Sequence, residues 1–237
     1  MKNYFMVVDT ETTQDNLVAD FGAIVCDKKG AIVASCAVLV QGIYNNRAEH
    51  PLFHSKDANP LWGIAGLPSR YANYDRMLDS GSRMLASPAA INAWVGKAIS
   101  QYNPVLTAYN LPFDLGKCAN TGIDLTVFQR SFCLWGAAYT AYAHTKAYRR
   151  MALALHAFNT PTEHGNMTFK TNAETMARFC TNMPFLEDEP HTAYEDAVFY
   201  ELPILKKLLR SKSVKWLLNE TGAYNWRDCQ VRDNFKV

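Results

Sequence analysis

Asp9 and Glu11 stand two apart at the close of an apolar run, Tyr4-Phe5-Met6-Val7-Val8. Such a run reads as a buried strand, and residues two apart in a strand point to one face. Both carboxylates therefore meet at one spot on the edge of a core. Ionised together there, they repel each other and lose hydration, a cost that protonation or a bound cation removes. Oxygen ligands of this kind suit a hard divalent cation. Two further segments carry matching chemistry: Asn110-Leu111-Pro112-Phe113-Asp114, and His191-Thr192-Ala193-Tyr194-Glu195-Asp196. Together the three segments read as one metal site.

The elements that must position them can be read around each segment. Val105-Leu106-Thr107-Ala108-Tyr109 is a second strand-like stretch, and Pro112 near the start of a helical run to about Asn120 puts Asp114 in that helix's first turns. Thr192 and Glu195 have the T-x-x-E spacing of a capping box, which predicts a helix starting after Thr192 with Glu195 reaching back. His191 then lies just outside the helix, free to swing towards a reacting group, and Asp196 is held rigidly inside it. That division suits a base beside a fixed ligand.

In this order, D-x-E, N-x-x-F-D and H-x(4)-D resemble the three motifs of the DEDDh (DnaQ-like) 3′-to-5′ exonucleases. The likeness spans Lys2 to Lys215, with one departure at Gln14, where relatives often have Gly. It implies an α/β domain of RNase H-like fold, a mixed β-sheet flanked by helices. It also implies that Asp9, Glu11, Asp114 and Asp196 hold two Mg²⁺ or Mn²⁺ ions, with Asp9 bridging and His191 as general base. Two such ions, about 3.5 to 4 Å apart, activate a water and stabilise the leaving 3′-oxygen, releasing nucleoside 5′-monophosphates. By the same resemblance Thr10 and Thr12 offer backbone or hydroxyl contacts to the terminal nucleotide and Asn110 orients substrate or its own loop, whereas Phe113 reads as packing. The expected partner is nucleic acid, namely the 3′ end of single-stranded or frayed DNA. RNA or short oligoribonucleotides are the alternative substrate, and a catalytically idle nucleic-acid-binding module is the reading from another class. Proofreading would require a separate polymerase or another replication or repair partner.

Composition fits this reading. A chain of 237 residues fits a single domain over residues 1–237, burying roughly 70 to 75% of its unfolded surface. Hydrophobic residues at 49% with 19% charged argue against disorder. No apolar run approaches the roughly 18 residues of a membrane span, and no signal-peptide pattern opens the sequence, so the expected location is cytoplasmic, away from membranes. Six cysteines without a C-x-x-C pair read as reduced structural thiols. A net charge of +2 is too mild for a long nucleic-acid footprint and compatible with a small site gripping a strand end.

Elsewhere, Leu17 to Asp27 and Ala31 to Val40 around Lys28-Lys29-Gly30 predict an antiparallel hairpin. Residues 41–73, with Pro51, Pro60 and Pro68, read as a long irregular excursion. Ser87-Pro88 predicts a helix to about Gln101, Phe132 to Trp135 a short strand, and Ala137 to Leu155 a helix. Thr171 and Glu174 repeat the capping-box spacing for a helix to about Cys180, and Pro203 predicts a kink in the last helix. His50 and His54 are four apart, but Pro51 between them disfavours a second metal site on one helix. Tyr139, Tyr142, His144, Lys146, Tyr148, Arg149 and Arg150 fit either a stacking and phosphate-gripping surface or an amphipathic helix. Lys206, Lys207, Arg210, Lys212 and Lys215 read as a solvated helix end.

Overall fold

Three strands in sequence build the first half of a sheet: β1 (Tyr4–Thr12), β2 (Val18–Asp27) and β3 (Ile32–Val40), each antiparallel to the next. The computed structural model describes residues 3–53, 70–161 and 165–210. The β2–β3 hairpin closes as its sequence predicts. Asp27 Oδ1 accepts the N–H groups of Lys29 and Ala31 at 2.8 and 3.0 Å, and Gly30 supplies the left-handed residue, φ 80°.

Helix α1 (Arg70–Asp79) leads to a short strand β4 (Met84–Ala86) parallel to β3. The reading of 41–73 as one excursion does not foreshadow the start of α1, because α1 has four Asp or Arg residues among its ten and no strong apolar period. Pro60, Pro68 and His54 lie outside the described residues. Helix α2 (Pro88–Tyr102) starts as expected, with Ser87 Oγ accepting the Ala90 N–H at 3.2 Å and Ile91, Val95 and Ala98 buried. Strand β5 (Val105–Ala108) then runs parallel to β1, helix α3 (Leu111–Thr121) follows, and β6 (Ser131–Cys133) runs parallel to β5. The result is a six-stranded mixed sheet in the order β4-β3-β2-β1-β5-β6, flanked by helices.

Because side chains alternate along a strand, β1 feeds two cores. Met6 and Val8 pack with Ile91 and Val95 of α2 and with Leu111 and Cys118 of α3. Phe5 and Val7 pack on the other side with Leu134, Met176, Ile204 and Leu208. Burial on both faces explains why β2 is apolar at most positions, with Asp20 the buried exception.

Three local expectations are corrected. Residues 137–155 are not one helix: α4 (Leu134–Ala138) passes into a π turn, Tyr139–Ala143, and stops. Thr145 then caps a new helix, α5 (Lys146–Ala154), by accepting the Tyr148 N–H at 3.2 Å. Tyr139 and Tyr148 are buried in the core, whereas Tyr142 is half-buried with its ring centroid 5.4 Å from that of Phe179. The strand expected to reach Trp135 ends at Cys133, since Leu134 and Trp135 already belong to α4. Helix α6 (Ala173–Thr181) is capped by Asn172, not Thr171, whose hydroxyl accepts from the Trp135 indole at 3.2 Å, and Glu174 pairs with Arg178 instead of reaching back.

The final helix is α7 (Ala193–Asp196), a π turn Ala197–Glu201, and α8 (Leu202–Arg210), with Pro203 just past the π turn where the expected irregularity falls. Lys206 and Lys207 are half-buried instead of solvated. Lys207 Nζ lies 5.1 Å from the Phe179 ring centroid, and both lysines line a cavity of about 670 Å³ with Tyr142, Cys180 and Arg210. Lys212 and Lys215 fall outside the described residues. The five described cysteines are free, and no helix among the described residues is long and apolar enough to cross a membrane.

Candidate metal centre

The parallel pairing of β1 with β5 sends both strands to the same edge of the sheet, so the segments that follow them converge there. Asp9 lies opposite Gly22 of β2 and Glu11 opposite Asp20. After β5, Asn110 turns the chain into α3 with φ 75°, a left-handed conformation that asparagine tolerates. Its side chain makes no capping bond. Asp114 falls in the first turn of α3, buried, and accepts a 2.8 Å hydrogen bond from the Thr10 hydroxyl.

The buried Thr10 hydroxyl is thus engaged by a carboxylate. Thr12 is also buried, and its carbonyl accepts the Phe53 N–H at 2.8 Å. Phe113, expected to pack, is 43% exposed, with Lys117 Nζ 4.7 Å from its ring centroid. At the end of β1 the left-handed residue is Asn16, φ 68°, so Gln14 needs no glycine-like conformation.

The third segment is pinned onto β2. A Cβ at Gly22 would lie 2.3 Å from the backbone of Ala193 and Tyr194, so only glycine lets α7 seat there. Asp20 Oδ2 accepts the Ala193 N–H at 2.9 Å. The buried guanidinium of Arg83 sits between Asp20, at 3.6 Å, and Glu195, with its carbon 5.5 Å from the Tyr194 ring centroid. This arrangement corrects the capping box. Glu195 is drawn to Arg83, and Thr192 Oγ1 is buried without a hydrogen-bond partner among the described residues. The spacing is right for a box, but a buried cation outcompetes a backbone N–H for the carboxylate.

His191 precedes α7 in a left-handed conformation, φ 54°, with 47% of its side chain exposed and Nδ1 3.9 Å from Glu11 Oε1. Two residues of α1 hold its carbonyl: Arg70 Nη1 at 3.2 Å and the Tyr74 hydroxyl at 3.3 Å. Arg70 also pairs with Glu11 and donates to the Phe53 carbonyl. None of Arg70, Arg83, Asp20 or Tyr74 carries a motif signal. Each acts through contacts that only the folded chain creates.

Glu11, His191 and Asp196 each offer a ligand atom, all within 4.8 Å of one another. Burial, together with Glu201, Asp114, Asp196 and Glu11, raises the Asp9 carboxyl well above the usual range. Burial likewise pushes Asp114 and Asp196 up, helped by Glu11 in both cases and by Glu189 in the second. Asp20 is raised to about 6 by burial, against the pull of Arg83. Asp196 Oδ1 is buried without a hydrogen-bond partner among the described residues. A carboxylate set that is crowded, desolvated and partly unpartnered fits a divalent cation, because bound positive charge relieves both costs. Among the described residues Glu11, His191 and Asp196 are the group of His, Cys, Asp and Glu whose ligand atoms lie close enough to share one ion, whereas His50 is paired with Asp15 at 2.7 Å. No protein-family model and no curated protein matches the chain.

Proposed function

We propose that the chain is a divalent-metal-dependent DEDDh-type 3′-to-5′ exonuclease of RNase H-like fold, hydrolysing phosphodiesters from the 3′ end of DNA. The supporting observation is convergence: Asp9 and Glu11 from β1, Asp114 from α3, and His191 and Asp196 at the start of α7 come to one edge of a mixed sheet. Asp9, Glu11, Asp114 and Asp196 would hold two Mg²⁺ or Mn²⁺ ions. Bound there, such ions supply Lewis acidity, activating a water and neutralising charge on the phosphate and leaving oxygen.

The remaining chemistry belongs to the chain. Thr10 fixes the rotamer of Asp114, and Arg83 with Asp20 fixes α7 and so Asp196. His191 is exposed enough to meet substrate. With Nδ1 turned towards Glu11, Nε2 is the atom left to take the proton of the attacking water. The decisive experiment incubates the protein with 5′-labelled single-stranded DNA, frayed duplex and RNA in Mg²⁺, Mn²⁺ or EDTA. A ladder shortening from the 3′ end, with 5′-monophosphate products and none in EDTA, is expected. Faster trimming of RNA moves the substrate to the ribonuclease alternative, and no cleavage in any arm refutes the reading.

A further inference from the structure

Glu201 lies outside the three motif segments and yet joins their carboxylates. It is the last residue of the π turn that follows Asp196 directly. In a regular α-helix the residues three and four after Asp196 would share its face, and the fifth would not. A π turn bonds residue i to i+5, which brings Glu201 round above Asp196. The side chain is 2% exposed. Its Oε1 accepts the Tyr109 N–H at 3.1 Å, at the end of β5 where the chain turns towards Asp114. Its Oε2 is buried without a hydrogen-bond partner among the described residues.

Holding one backbone N–H does not require a carboxylate. A glutamine would offer the same acceptor with no charge to desolvate. The charge and the second oxygen are therefore surplus to that task, and the π turn sets them one step along the helix from Asp196.

We propose that Glu201 is a fifth carboxylate of the metal centre, its unpartnered oxygen helping to hold the divalent cation that Asp9 binds. The assignment rests on the metal-dependent reading above. Oε1 then ties the helix of the third segment to the strand of the second, while Oε2 serves the ion.

The test titrates Mn²⁺ calorimetrically into the metal-free full-length chain, as wild type and as Glu201→Gln, which keeps an acceptor for Tyr109 and removes the charge. Affinity for one Mn²⁺ should fall about tenfold or more, while the metal-free variant melts no lower than wild type because a source of repulsion is gone. If Glu201→Gln binds Mn²⁺ as wild type does, Glu201 is not part of the centre, although the centre itself stands. If wild type takes up no Mn²⁺, the metal-dependent reading falls and this assignment with it. Should Glu201→Gln not fold, Glu201→Asp keeps the charge and shortens the reach: a comparable loss of affinity supports the assignment, and unchanged affinity overturns it.

Discussion

The Ala193 N–H donates to Asp20 Oδ2 at 2.9 Å, joining the first turn of the last helix to the second strand. Asp196, Glu195 and the His191 loop all hang from this contact and from the glycine seat beside it. Gly22→Ala should therefore displace α7 bodily. The expected cost is about 1–3 kcal/mol or more, as for other overpacked sites, with cleavage falling further than stability. Chemical denaturation and single-turnover rates check this; a variant with wild-type stability would show that the seat is not rigid.

Thr192 and Glu195 distinguish an ion pair from a capping box. Thr192→Val should change stability by less than about 1 kcal/mol, because a buried hydroxyl with no partner contributes little beyond its shape. A functioning cap would lose about that much or more on truncation. Glu195→Gln should destabilise by about 1–3 kcal/mol, since the buried Arg83 loses its closer charged partner. Urea midpoints of the two variants decide the matter.

The carboxyls of the centre make stability depend on pH in a direction opposite to ordinary acid denaturation. Burial holds Asp20 at about 6 and Glu189 at about 7, and it raises Asp9, Asp114, Asp196 and Glu201 as well. The folded protein binds these protons more tightly than the unfolded chain. Their stabilisation is complete below the ordinary Asp value of 3.8 and is lost as pH rises through about 6 and 7 and beyond. The melting temperature of metal-free protein should thus drop between pH 5 and 8, on the order of several degrees. Mg²⁺ at a hundred times its dissociation constant should restore about 2.7 kcal/mol. A metal-free melting temperature that climbs over this range contradicts the clustered geometry.

His191 and Arg70 should separate chemistry from metal binding. His191→Ala is expected to slow the chemical step by roughly 10²- to 10⁴-fold while Mn²⁺ binding is retained. Arg70→Gln removes a cation from beside Glu11, so Mn²⁺ should bind more tightly, by about tenfold for each 1.4 kcal/mol of repulsion relieved. Its catalytic rate should nevertheless fall, because the His191 carbonyl loses one of its two holders. Weaker Mn²⁺ binding by Arg70→Gln would mean that the guanidinium orients Glu11 for the ion instead of competing with it.

The strands and the motif-bearing elements were legible because their signals are local. Alternation along Tyr4–Thr12 puts Asp9 and Glu11 on one side, Ser87-Pro88 announces α2, and Pro112 places Asp114 in a first turn. What stayed hidden depends on contact partners distant in the chain. Arg83 reads as a loop arginine until Asp20 and Glu195 surround it, and Arg70 opens a weakly amphipathic helix after a polar stretch. The T-x-x-E at Thr192 misled because spacing reports a capping geometry without reporting a competing guanidinium. Glu201 could not be placed by helical periodicity at all, since a π turn shifts the face by one residue.

The bond between Ala193 and Asp20 spans 173 positions of chain, and the one between Arg70 and the His191 carbonyl spans 121. Contacts of such long range close late, after the local β1–β2–β3 hairpins have formed. A polypeptide ending short of α7 keeps Asp9, Glu11 and Asp114 but lacks His191 and Asp196, so the candidate centre is incomplete in it. The candidate centre is therefore assembled only when α7 seats on Gly22 beside Asp20.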